Sequence, residues 1–270
     1  MTTRGRIMAV VTSAFALSGA AAAGAADQNF SPVSQSMVEI PAGVYLPFFQ
    51  ANPGKGRDAE VSAPTKVGAF RLDVEPVTNR QYLAFVRQHP EWRKSRVKKL
   101  FADHAYLAKW PSDLQLEDVA ADAPVTNVSW FAAQTYCEAR GLQLPTSEQF
   151  EYALADQGRD QTEIAQRSLD WFGSPNPRNL PAVGRGKPNG FGVRDLVGLV
   201  WEWTLDANSF ISGPELRNPS GKDAAAFCGN GATGVRDAAD YPAFMRYALR
   251  TSLKAAYTLD NVGFRCAGEI

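Results

Sequence analysis

Asn189 to Thr204 reads NGFGVRDLVGLVWEWT, and it constrains the chain more than any other stretch. Glycines at 190, 192 and 198 let the backbone turn tightly. Trp201 and Trp203 flank Glu202, so one carboxylate sits between two rings that carry much apolar area. A carboxylate drawn inward by such neighbours needs a partner or a cation. Asp195, Gly198 and Glu202 share one turn-rich segment, which can wrap a hard cation in carboxylate and carbonyl oxygens. The same carboxylates can instead pair with arginines such as Arg194 or Arg265.

The first 26 residues have the order of a secretory signal peptide. Arg4 and Arg6 precede an apolar run from Ile7 to Leu17, followed by small residues from Gly19 to Ala26. The run is too short for a comfortable membrane anchor, and the expected cleavage follows Ala25 or Ala26. An exported chain of about 244 of the 270 residues remains, enough for one domain with a substantial core. Removing Arg4 and Arg6 from the 28 basic residues leaves 26 against 28 acids, so nothing argues for nucleic acid. The one basic run, Arg93 to Lys99, reads as a solvated face. Cys137, Cys228 and Cys266 are the cysteines, and arithmetic alone allows three pairings. His89 and His104 are the only histidines, too few for a three-histidine metal site.

Residues 27–36 read as an N-terminal tail and 37–270 as the domain. Val38 to Phe49 reads as an edge strand or hairpin, Asn52 to Lys66 as a loop and Ala69 to Val74 as a strand. Thr78 or Asn79 caps a helix with Tyr82, Phe85 and Val86 on one face. Ser129 caps a second, with Ala132, Ala133, Tyr136 and Cys137 inward and Gly141 as the stop. Thr146 and Gln149 form a capping box for a third through Phe150, Ala153 and Leu154. A short helical patch is expected around Leu100 to Leu107. Trp171 to Thr204 and Ala207 to Thr233 read as irregular. Asp240 caps a last helix with Tyr241, Phe244, Met245, Ala248 and Leu249 at helical spacing, and Asn261 to Ala267 reads as a strand.

Several segments resemble the formylglycine-generating enzyme (sulfatase-modifying factor) superfamily. The segment from Asn189 is similar to its N-G-(F/Y)-G-L-x-D-M-x-G-N-V-W-E-W signature. Met37 to Gly43, Glu75 to Val86, Pro124 to Trp130, Tyr136 to Ala153 and Gly263 to Ala267 (GFRCA) resemble further elements, in order and across nearly the whole exported chain. The resemblance implies a loop-rich α+β fold related to C-type lectins, with little regular structure. It also implies a disulfide between Cys137 and Cys266. It implies a structural calcium held by side-chain oxygens of Asp195 and Glu202 and carbonyls of Gly198 and Val200.

The family's catalytic pair of copper-binding cysteines has no counterpart here. The matching region runs from Phe227 through Ser252 and holds Cys228 alone, which leaves it as the candidate catalytic residue and makes copper a cofactor without its second thiolate. The element Cys228 to Lys254 resembles an exported branch encoded beside copper nitrite reductases. The expectation is a periplasmic or secreted accessory or maturation factor for a redox metalloenzyme such as copper nitrite reductase. It has a periplasmic protein partner, no nucleic acid, and no membrane contact after signal cleavage. The alternatives are a formylglycine-type oxidoreductase using Cys228 on a protein cysteine, and a lectin-like binding module.

Overall fold

A computed structural model describes residues 35–45, 64–116, 120–159, 161–207 and 241–270. Residues 1–26, read as a signal peptide, most of the tail and Cys228 lie outside these residues. The strands are short: β1 (Met37–Ile40), β2 (Gly43–Tyr45), β3 (Thr65–Val67), β4 (Phe70–Asp73), β5 (Trp201–Glu202), β6 (Val262–Gly263) and β7 (Ala267–Glu269). The helices are α1 (Asn79–Gln88), α2 (Trp130–Ala139), α3 (Ser147–Ala155), α4 (Gln161–Phe172) and α5 (Tyr241–Ser252). This is a loop-rich α+β arrangement.

The caps expected from sequence start the first three helices. Thr78 accepts from the Gln81 amide and the Gln81 side chain accepts from the Thr78 amide. Ser129 accepts from Ala132 N–H, and Thr146 and Gln149 close the third box. Each satisfies amide donors that a helix start leaves unpaired. Gly141, at φ +69°, lets the chain leave α2.

The main sheet has the order β1-β4-β7, all antiparallel. Phe70 and Leu72 of β4 point into a core with Ile40, Phe150, Leu154 and Leu196. A larger core gathers Tyr82, Phe85, Trp110, Tyr136, Trp203 and Phe264 around α1 and α2. Cys137 of α2 and Cys266 are bonded in that core, with Cα atoms 5.5 Å apart. Beside the bond, Arg140 at the end of α2 forks onto the buried Asp73 carboxylate at 2.7 and 2.9 Å, and Asp73 also accepts from the Cys266 amide at 2.9 Å. Burial pushes the Asp73 carboxyl up, and Arg140 only partly reverses this.

Three expectations need correction. Val38–Phe49 is not one element: β1 joins the main sheet, while β2 pairs with β3, so Thr65 and Lys66 belong to a strand rather than a loop. Leu100 to Leu107 is a series of turns. Local bonds such as Ala102 N–H to Lys98 and Tyr106 N–H to Asp103 close single turns, but Asp103 N–H to Ala256 and Leu107 N–H to Asn127 reach distant segments and keep the turns from joining into a helix. Asn261–Ala267 is split because β6 pairs in parallel with β5 and β7 pairs with β4. The last helix expected from sequence is present as α5, which buries Ala243, Arg246 and Arg250 and leaves Tyr241 39% exposed. α4 was not anticipated.

Candidate functional site

The Asn189–Thr204 segment folds on its own polar groups. Asn189 Oδ1 accepts from the Phe191 and Val193 amides at 3.1 and 3.0 Å, and its Nδ2 donates to Ala153 O at 2.7 Å. Gly190 is held against α3's end: its amide donates to Asp156, and a Cβ there would meet Asp156 Oδ1 at 2.6 Å as well as the Arg159 guanidinium. Three residues take positive φ, Gly192 at +86°, Gly198 at +97° and Asp195 at +56°. The strained one, Asp195, is stabilised because its carboxylate accepts the amides of Gly184 and Gly186.

Glu202 faces Arg265. Nε donates to Oε2 at 2.7 Å and Nη2 to Oε1 at 2.8 Å. The remaining guanidinium N–H groups reach the carbonyls of Asp73, Val74 and Arg194 at 3.0 to 3.1 Å. All five donors are therefore used, which suits the rigid fork of arginine at a fully buried position. The two tryptophans separate. Trp203 lies in the larger core and donates to Val128 O at 3.0 Å. Trp201 is half-buried and stacks on Phe172 of α4, with centroids 4.8 Å apart and planes 12° apart.

Of the two partners open to these carboxylates, Glu202 has the arginine. Asp195 has backbone amides, while Arg194 donates to the carbonyl of Gly186. Both carboxylates are thus already partnered, and among the described residues no group of three acids, histidines or cysteines gathers as a metal site; one observation nevertheless leaves room for a cation. Among the described residues no hydrogen bond reaches the carbonyl oxygens of Gly198 or Val200, although Val200 is 1% exposed. A buried carbonyl without a partner is uncommon and calls for water or an ion.

Cys228 lies outside the described residues. The helix that follows its segment, α5, is anchored by a contact that sequence reading missed. Arg246 forks onto Glu151 of α3 at 3.0 and 2.8 Å, and Arg250 adds a bond to the same carboxylate at 2.9 Å. Burial pushes the Glu151 carboxyl up, but the two guanidiniums outweigh it and hold the group below its ordinary value. The i, i+4 spacing of the two arginines was the available hint. Trp110 is core and donates to Asn79, Trp171 packs on Trp201, and Asp206 accepts from Ser147.

The fold and this segment place the chain in a known class. Residues 22–270 match the sulfatase-modifying factor enzyme 1-like domain, and the chain belongs to that family. It is 29% identical over 286 residues to the inactive C-alpha-formylglycine-generating enzyme 2 of Mus musculus, spanning 87% of this chain and 86% of that protein. It is 27% identical over 285 residues to the formylglycine-generating enzyme of Bos taurus, spanning 86% of this chain and 74% of the other. The solved structure of PvdO from Pseudomonas aeruginosa shares the fold, with a TM-score of 0.51 at 19% identity over 87% of this chain and 94% of that one.

Proposed function

We propose that the chain is an exported family member without formylglycine chemistry, serving as an accessory or maturation factor for a periplasmic redox metalloenzyme such as copper nitrite reductase. The observation that carries this is the disulfide. Cys137 and Cys266 are bonded and fully buried, so Cys228 is the only cysteine left. Cu(I) is held by soft sulfur ligands, and a single thiolate holds it far less firmly than a pair. The mouse relative described as inactive is a precedent for such a member. The signal-like N-terminus and the resemblance of Cys228 to Lys254 to the nitrite-reductase-associated branch support the compartment and the partner.

A structural calcium belongs to this proposal. Asp195 and Glu202 would supply carboxylate oxygens, and Gly198 and Val200 carbonyls. The ion would add positive charge that ties the turn together without entering any chemistry.

The accessory role is tested by exporting a copper nitrite reductase with and without this chain and measuring copper per enzyme. Lower copper without the chain, restored by supplying it, is expected. Equal copper in both preparations contradicts the role.

A further inference from the structure

We infer that the turn from Arg96 to Leu100 is a docking knob for an acidic protein surface that seats Leu100. This goes beyond the accessory role and holds equally if the chain is a pure binding module.

The local charge is unusual for a chain that is neutral overall. Between Arg87 and Lys109 there are seven Lys and Arg residues against two acids, Glu91 and Asp103. Part of that charge is bound inside the fold. Arg93 donates to the last carbonyls of α1, those of Val86 and Arg87, and Lys94 donates to Trp110 O at 2.6 Å. Asp103 is bonded to Thr258, and Asp113 to Ser95. The Ser95 hydroxyl bond holds the Asp113 carboxyl below its ordinary value, with a smaller contribution from Arg93 and Arg96.

The side chains of Arg96, Lys98 and Lys99 differ. All three are exposed, and among the described residues they make no hydrogen bond or ion pair. Leu100 stands beside them at 74% exposure, the most exposed of the large apolar side chains among the described residues.

The turn is also rigid in construction. The amides of Arg96 and Val97 donate to Arg93 O, and those of Phe101 and Ala102 to Lys98 O. Phe101 packs on Phe131 and Trp92, with centroids 5.5 and 6.0 Å away. Anchors on both sides therefore hold Leu100 outward, so little ordering entropy is lost when a partner covers it.

The chemistry favours a protein. Unpaired cations around one apolar anchor match an acidic rim around an apolar seat, which steers encounter and fixes register. A lipid surface would want a broader apolar face, and single-stranded nucleic acid would want exposed rings to stack on bases.

The test places the photoreactive residue benzoylphenylalanine at position 100 of the full chain in the cells that make it. Mass spectrometry then identifies the adduct, and the cross-linked protein is purified for binding measurements. The expected adduct is a peptide rich in Asp and Glu. Affinity for that purified protein should fall about tenfold or more when salt rises from about 50 to about 300 mM. Lys98→Glu with Lys99→Glu should weaken it by about tenfold at low salt, with the melting temperature unchanged. No adduct, a phospholipid adduct, or a protein adduct whose affinity ignores both salt and charge reversal overturns the inference.

Discussion

Glu202 and Arg265 form a two-pronged pair in which neither side chain reaches solvent. Their contact joins β5 to the segment between β6 and β7, at the point where the chain changes sheets. Burying one charge without the other is costly, because the survivor keeps its desolvation penalty and loses its partner.

Arg265→Met should therefore cost about 3–5 kcal/mol of unfolding free energy. Arg265→Lys should recover little of this, since an ammonium cannot fork onto Glu202 and still reach three carbonyls. Glu202→Gln combined with Arg265→Met should cost less than the two single changes added together. Urea unfolding of the four proteins measures the coupling, and strict additivity would show that the pair is not a unit.

The disulfide closes a loop of 129 residues, for which the chain-entropy model gives about 5 kcal/mol. Denatured, unreduced protein should titrate one thiol per chain, that of Cys228. A count of three would mean the bond is absent in the purified protein.

Chelation should lower the melting temperature if calcium binds the folded chain alone. Calcium at a hundredfold its Kd stabilises by about 2.7 kcal/mol. Asp195→Asn should shrink the chelator effect. A wild-type midpoint that ignores chelator removes calcium from the account.

The clamp on Glu151 gives a pH dependence of defined sign. Its carboxyl titrates lower in the folded chain than in the unfolded one. The resulting stability is fully present above the unfolded value of about 4.3, and is lost as pH falls through the lower folded value. Glu151→Gln should be destabilised at pH 7 by about 3 kcal/mol, because two buried guanidiniums lose their counter-charge. The gap to wild type should close on acidification. A gap that stays constant down to acid unfolding would show that the carboxylate's charge plays no part.

The legible parts of the fold were those written in local chemistry. Thr78 with Gln81, Ser129, and Thr146 with Gln149 announce helix starts within four residues, because the hydrogen bonds are local. α4 escaped notice although Ile164, Leu169, Trp171 and Phe172 are half-buried and fall at helical spacing, so its apolar face was legible in the sequence. The Leu100–Leu107 stretch looked helical from its apolar content, but Leu107 takes φ +48° and its amide bonds to Asn127. In the candidate site, sequence singled out Asp195 and Glu202 and named Arg265 as a possible partner. The residues alone left ion and arginine open and the resemblance implied the ion; the Arg265 pairing was not legible, since it depends on a contact between residues 63 positions apart. The Glu151 clamp was hidden for the same reason, its arginines lying 95 and 99 positions away.

Formylglycine formation on a sulfatase-type peptide (C-x-P-x-R) is the most direct measurement of what this chain does with the family fold. The purified protein is incubated with the peptide, copper and oxygen, and the product is weighed by mass spectrometry. With Cys137 and Cys266 bonded to each other and Cys228 alone, the peptide should keep its thiol. An aldehyde product that disappears in Cys228→Ser would contradict this and make the chain an oxidase acting through a single cysteine.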